Sequence, residues 1–237
     1  MFNIIRPLIF KFSPEVAHSL AIKALKLNNI SYSKPIDNHI LETTFCEKKL
    51  SSPIGVAAGF DKNAEVYNPL FNLGFGFVEV GTITPKPQFG NPKPRVFRLE
   101  EDEALINRLG FNNSGSEQIS QTIKENNKKG FLGINIGPNK DSKDRIEDYL
   151  ICFRKFYNLA DYITINISSP NTENLRDFHN QDELNSLIDK LKNEKKELNS
   201  NIPLAIKVSP DLNDDQINEV SKICLLYTSP SPRDSGK

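Results

Sequence analysis

Five short runs of apolar and β-branched residues set the tightest limit on what this chain can become: residues 54–58, 77–81, 132–136, 162–167 and 204–208. Between them lie stretches with helical spacing, at 63–73, 114–126, 145–160 and 181–198. Strand-length runs that alternate with helix-length patterns predict βαβ units and a parallel sheet. At 237 residues and 38% hydrophobic content, the chain suits one large α/β domain better than two small ones.

The ends of the runs carry the functional signal. The first closes in Ala57-Ala58-Gly59-Phe60-Asp61-Lys62, the second in Glu79-Val80-Gly81-Thr82, and the third in Asn135-Ile136-Gly137. The fourth ends in Asn166-Ile167-Ser168-Ser169-Pro170-Asn171 and the fifth in Lys207-Val208-Ser209. A strand that finishes in amides and hydroxyls has stopped building core. In a barrel these ends converge on one face, so that small residues, amides, hydroxyls and the cations Lys62 and Lys207 would surround one pocket. No GxGxxG follows the first run and no GxxxxGK[ST] occurs anywhere, so neither a dinucleotide-binding Rossmann turn nor a P-loop is indicated. A flat, hydrogen-bonding cofactor such as flavin mononucleotide (FMN) suits such a mouth, with a lysine beside its pyrimidine edge.

Thirty basic residues balance thirty acidic ones, so charge gives no support to a nucleic-acid partner. Cys46, Cys152 and Cys224 lack paired spacing and His18, His39 and His179 are scattered, a pattern that suggests neither a disulfide framework nor a metal centre. Arg6, Pro7 and Lys11 interrupt the apolar start, which falls short of the roughly 20 residues that span a bilayer, and no signal peptide is expected. Residues 1–38 read instead as an extension of two short amphipathic helices, the second opened by Ser13-Pro14. Its first 30 residues hold four basic side chains against Glu15 alone, as in helices that lie on an anionic membrane. A cap packed on the domain is the equal alternative.

Several ordered stretches resemble one family. They are 57–62, 81–88, 90–95, 106–113, 133–137, 166–172 and 205–212, and in sequence and order they are similar to dihydroorotate dehydrogenase. The helical extension, and Ser169 where cytosolic relatives carry cysteine, resemble the membrane-associated, quinone-dependent class. The resemblance implies a (β/α)₈ TIM barrel and oxidation of dihydroorotate to orotate in pyrimidine (UMP) biosynthesis, with FMN as cofactor and a membrane quinone as acceptor. It places Ser169 as catalytic base. Ala58, Gly59, Phe60, Asp61, Lys62, Thr82, Asn135, Asn166 and Lys207 would hold FMN; Lys62, Asn107, Arg108, Leu109, Gly110, Phe111, Asn166 and Asn171 would hold the substrate. The segment 172–180, with Leu175 and Phe178, is the expected lid, and the helices of 1–38 the quinone entrance. A peripheral place on the cytoplasmic face of a bacterial inner membrane is implied, the mitochondrial inner membrane being the alternative.

The tail departs from the family. A (β/α)₈ barrel needs about 250 residues, whereas here five strands are legible in residues 39–224, and 225–237, with Pro230 and Pro232, reads as foreign and disordered. The expectation is therefore an incomplete, inactive barrel. A non-catalytic membrane-associated fragment, or another FMN-dependent barrel reductase, stands as the alternative.

Overall fold

The computed structural model describes residues 2–27, 39–170, 175, 178 and 180–228, with side chains from 5 to 224. Its frame is a parallel sheet of five strands: β3 (Gly55–Val56), β4 (Phe77–Ile83), β7 (Phe131–Ile136), β8 (Tyr162–Asn166) and β9 (Leu204–Lys207), hydrogen-bonded in that order. Each anticipated run supplies one strand, and the sheet follows the βαβ alternation of a (β/α)₈ barrel over five consecutive strands. The helices are α1 (Phe2–Ile9), α2 (Pro14–Leu27), α3 (Tyr67–Asn72), α4 (Ser116–Glu125), α5 (Arg145–Phe156), α6 (Gln181–Glu197) and α7 (Asp214–Thr228). Local chemistry fixes the ends of α5. The Asp144 carboxylate accepts from Glu147 N at 3.0 Å and opens α5, whose first turn is acidic and last turn basic.

Strand alternation divides the sheet into two chemically different faces. Val78, Val80, Leu132, Ile134, Ile136, Ile163 and Ile165 face the helices and are fully buried with Phe153 and Phe156 of α5 and Leu184, Leu187 and Leu191 of α6. The residues between them, Glu79, Gly133, Asn135, Tyr162, Thr164 and Asn166, face inward. At the lower end of this inner face Phe131 and Tyr162 pack with Leu50, forming a separate small cluster with Cys46, Phe77 and Ala205.

That plug comes from an element with no signature in the sequence. β1 (Thr43–Phe45) and β2 (Lys48–Leu50) form an antiparallel hairpin whose two turn residues, Cys46 and Glu47, take φ of 48° and 63°. Such a turn is ordinarily marked by Asn-Gly or Gly-Gly, and here it is not. A second hairpin, β5 (Val96–Leu99) and β6 (Ala104–Asn107), packs against α2, and its outer strand is exposed throughout, so it shows no buried run either.

Two expectations need correction. The helix expected from Asn63 begins only at Tyr67, because Ala64 is held at φ 56° and Asp61 draws the following backbone into a turn. The tail expected to be disordered from Leu225 is helical through Thr228, as the last turn of α7, whose own register carries it past Cys224. Residues 28–38 of the extension and 229–237 of the tail lie outside the described residues.

Candidate active site

The upper ends of β4, β7 and β8 meet through their side chains, and a bulge makes this possible. Along a regular strand Glu79 and Thr82 would point to opposite faces. The β4–β7 register shifts between Val80 and Ile83, with Gly81 at φ 110°, so both side chains reach Asn135 on the neighbouring strand. A Cβ at Gly81 would overlap the Asn135 carbonyl oxygen, which is why the bulge carries glycine. Thr82 Oγ1 donates to Asn135 Oδ1 at 2.6 Å, and Asn166 Nδ2 donates to Thr82 Oγ1 at 2.9 Å and to Asn135 Oδ1 at 3.1 Å. The Asn166 side-chain oxygen is turned the other way and accepts from Ser168 N and Ser168 Oγ, at 3.1 and 2.8 Å. From behind the sheet, the buried Tyr149 hydroxyl donates to the Asn166 carbonyl at 2.7 Å.

The turn after β3 builds the second part. Both Asp61 carboxylate oxygens accept backbone N–H groups, from Glu65 and Val66 at 2.8 Å each, and the Asp61 carbonyl accepts from Gly81 N at 3.1 Å. Burial pushes the Asp61 carboxyl above its usual range. Asp61, expected as a cofactor ligand, thus shapes the turn with its side chain. Gly59 N donates to Gly81 O at 2.9 Å, tying this turn to the bulge. Lys62 donates to the Gly59 carbonyl, and burial, reinforced by the Arg95 guanidinium, lowers the pKa of its ammonium. A cleft of about 760 Å³ opens here between the turn, α2 and the β5–β6 hairpin, lined among others by Gly59, Phe60, Lys62, Asn107, Leu109 and Asn112. From α2, His18 Nε2 lies 2.7 Å from the Phe60 carbonyl and its ring stands edge-on to the Phe60 ring at 5.4 Å; burial depresses its pKa. Arg95, 6% exposed, crosses the cleft to pair with Glu15 of α2 at 2.9 and 3.0 Å and also binds the Phe89 and Asn91 carbonyls.

The other sequence candidates distribute around these two groups. Ala58 is half-buried in the β3 turn, and Lys207 is exposed at the end of β9, in register with Asn166. Gly110 (φ 71°) and Phe111 (φ 51°) lie in a loop fixed by Asn113, whose amide bonds Thr84 Oγ1 and the Phe111 carbonyl at 2.8 Å each. Asn107 accepts from Leu109 N at 3.4 Å, while the Arg108 guanidinium is turned to the Pro94 carbonyl at 2.9 and 3.2 Å, bracing the hairpin. Ser169 is half-buried just beyond Asn166; Asn171 lies outside the described residues, as do 172–174, 176, 177 and 179 of the expected lid. Its two bulky residues are buried: Leu175 is fully enclosed and Phe178 meets the Tyr149 ring edge-on at 5.8 Å.

The donor set suits FMN. Thr82, Asn135 and Asn166 gather hydroxyl and amide groups, bonded to one another, at adjacent strand ends, a lysine stands in register beside them, and a side chain placed on Gly59 would meet only open space, so a flat ring can approach the backbone there. Glu79, Asn113 and Arg95 were not singled out from the sequence, although all three lie in the motifs quoted. For Glu79 the available signal was a charged residue in the middle of an apolar run.

A family model described as Dihydroorotate dehydrogenase matches residues 40–226. Among curated relatives, Dihydroorotate dehydrogenase (quinone) of Bartonella tribocorum is 47% identical over 221 residues, covering 92% of this chain and 61% of the relative. That of Nitrosomonas europaea is 44% identical over 236 residues, covering 96% of this chain and 68% of the relative. The chain therefore spans about three fifths to two thirds of the length of the relatives it matches. Among solved structures, DHODH of Eimeria tenella in complex with ferulenol superposes with a TM-score of 0.85 at 36% identity, over 91% of this chain and 64% of that one.

Proposed function

The chain belongs to the dihydroorotate dehydrogenase family, and from that premise we propose, in place of the inactive barrel expected from the tail, that it oxidises dihydroorotate to orotate in pyrimidine synthesis, with FMN as cofactor and a membrane quinone as electron acceptor. The observation that carries this reading is the convergence of the Thr82–Asn135–Asn166 cluster, Lys62 and Ser169 on the same end of one parallel sheet. FMN, when bound, supplies the two-electron acceptor for the substrate and the donor for the quinone. The protein's part is positioning and proton handling. The Lys62 ammonium pairs with the substrate carboxylate, at a site where burial strengthens the attraction. The amides of Asn107, Asn166 and Asn171 meet a ring that offers both donors and acceptors. Ser169 Oγ takes the proton from the carbon being oxidised, a task for which a hydroxyl needs a water-excluding pocket and a partner that relays the proton. Lys207, beside Asn166, would help hold the cofactor and would place a positive charge where its ring gains electrons.

The cleft between Lys62 and α2 supports a route for the quinone, and α1 and α2 support a peripheral membrane contact, for which the cytoplasmic face of the inner membrane is the proposed side. Ile5, Leu8, Phe12, Val16 and Leu20 are exposed there beside Arg6, Lys11 and Lys23. Among the described residues no helix is long and apolar enough to cross a membrane. The test is the visible spectrum of the purified chain with a turnover assay on dihydroorotate and a soluble quinone. Flavin absorbance with turnover that Ser169→Ala abolishes, at little change in substrate affinity, supports the reading. A colourless protein without turnover overturns it in favour of a non-catalytic fragment, and a Ser169→Ala chain that keeps its rate removes Ser169 as base.

A further inference from the structure

Glu79 is a carboxylate set inward from β4, half-buried beneath the amide cluster, and the proposed reaction gives it no part. Its carboxylate nevertheless accepts three hydrogen bonds, one of them from the cluster. Its Oε1 accepts from Asn135 Nδ2 at 2.9 Å; its Oε2 accepts from the Tyr162 hydroxyl at 2.9 Å and from Thr164 Oγ1 at 2.7 Å. Three donors from two strands thus hold one carboxylate in place.

The consequence lies in the sense of the bonds beyond it. An asparagine amide can sit in either of two orientations of nearly equal shape, and only its partners decide between them. A carboxylate can only accept, so Asn135 must turn its NH₂ toward Glu79. Its oxygen then faces the opposite way, where it accepts from Thr82 Oγ1 and Asn166 Nδ2. With both hydrogens of Asn166 Nδ2 engaged by Asn135 and Thr82, the Asn166 oxygen must face Ser168, as it does. A flipped Asn135 would set oxygen against oxygen at Glu79 and NH₂ against NH₂ at Asn166. We infer that Glu79 is a positioning residue, which fixes the amide orientations of Asn135 and Asn166 and thereby the pattern of donors and acceptors that the strand ends present to a flavin. The flavin half of this inference rests on the proposed function; the amide half rests on the hydrogen bonds alone.

Three substitutions separate contact from charge and from bulk. Glu79→Gln can keep an oxygen on Asn135 while its NH₂ donates to the Tyr162 and Thr164 oxygens, whose hydroxyls can rotate. Glu79→Asp keeps the charge but withdraws the carboxylate by about 1.5 Å, one carbon–carbon bond, out of reach of Asn135. Glu79→Leu removes both. The side-chain amide signals of Asn135 and Asn166 are recorded by ¹H–¹⁵N NMR in the 237-residue chain, and FMN affinity is measured by fluorescence quenching. The expected result is that Glu79→Gln leaves both amide signals near their wild-type positions and FMN affinity within about threefold. Glu79→Asp and Glu79→Leu shift both signals and weaken FMN binding by about tenfold, the equivalent of one buried hydrogen bond to a charged group. Amide signals unmoved in folded Glu79→Asp would overturn the inference, as would a Gln variant that behaves like Leu or an Asp variant that fails to fold by circular dichroism. If the wild-type chain takes up no FMN, the cofactor reading fails, while the amide signals still decide the role of Glu79.

Discussion

Gly133→Ala is the substitution whose effect the structure fixes most closely. Gly133 lies on the inner face of β7 directly opposite Tyr162 of β8, and a Cβ there would overlap Cζ, Cε1 and the hydroxyl of the Tyr162 ring. The ring cannot step aside: it is 3% exposed, stacked on Phe131 at a centroid separation of 5.6 Å and met edge-on by Phe45 at 5.4 Å. Forcing a methyl into a packed site costs about 1–3 kcal/mol. Displacing the ring also breaks its 2.9 Å bond to Glu79, worth about 1.5–3 kcal/mol for a hydrogen bond to a charged group. Together they predict a loss of about 2.5–6 kcal/mol. At about 2–4 °C per kcal/mol for a chain of this size, the thermal midpoint should fall by about 5–24 °C, followed by far-ultraviolet circular dichroism. Tyr162→Val makes room for the methyl, so the double variant should be more stable than the sum of the single effects by at least about 1 kcal/mol. A midpoint within about 2 °C of wild type for Gly133→Ala, or strict additivity in the cycle, would refute the reasoning.

Tyr149→Phe removes only the oxygen that donates to the Asn166 carbonyl, and should lower stability by about 1–2 kcal/mol in chemical denaturation without a change in the denaturant slope. Lys62→Met should weaken orotate binding by about 10- to 100-fold in calorimetric titration, the loss of one charge-assisted contact. Because burial, with Arg95 nearby, depresses the Lys62 pKa, orotate binding to the wild-type chain should fall away at high pH with a midpoint below the usual 10.5; a midpoint at or above that value counts against the placement of Lys62. His18 has a folded-state pKa below the usual 6.5 because it is buried, so the unfolded chain binds more protons in the interval between the two values. Stability should be fully present above pH 6.5 and decline as the pH falls through that interval, and His18→Gln should flatten this part of the curve of melting temperature against pH.

The strands and the helices between them were legible because their determinants are local. Residues 132–136 and 162–167 are apolar runs of strand length, and residues 145–156 carry a cap, an acidic first turn and a basic last turn. The two hairpins were not. Cys46 and Glu47 hold positive φ without the glycine or asparagine that would announce it, and β6 is exposed along its length. The same division runs through the site. Asn135, Asn166, Thr82 and Lys62 stood out as polar residues at strand ends. Asp61 stood out in the same way and Arg108 through the family resemblance, yet their side chains hold the β3 turn and the β5–β6 hairpin. A residue's type shows that it can form hydrogen bonds, and only its neighbours in space decide with what.

The amino-acid sequence by itself determined the alternation of strand and helix, the end of the sheet at which polar groups gather, and the family to which the chain belongs. These follow from periodicity and from motifs read along the chain. The tertiary structure alone decided which residues share the inner face. The bulge at Gly81 shifts β4 by one position and brings Thr82 onto the side of Glu79 and Asn135, a displacement of the kind that reverses every later side chain in a strand of period two. It also decided that a carboxylate from the middle of an apolar run should set the orientation of two amides, because that depends on contacts across residues 79, 135 and 166, which meet only when three parallel strands are laid side by side.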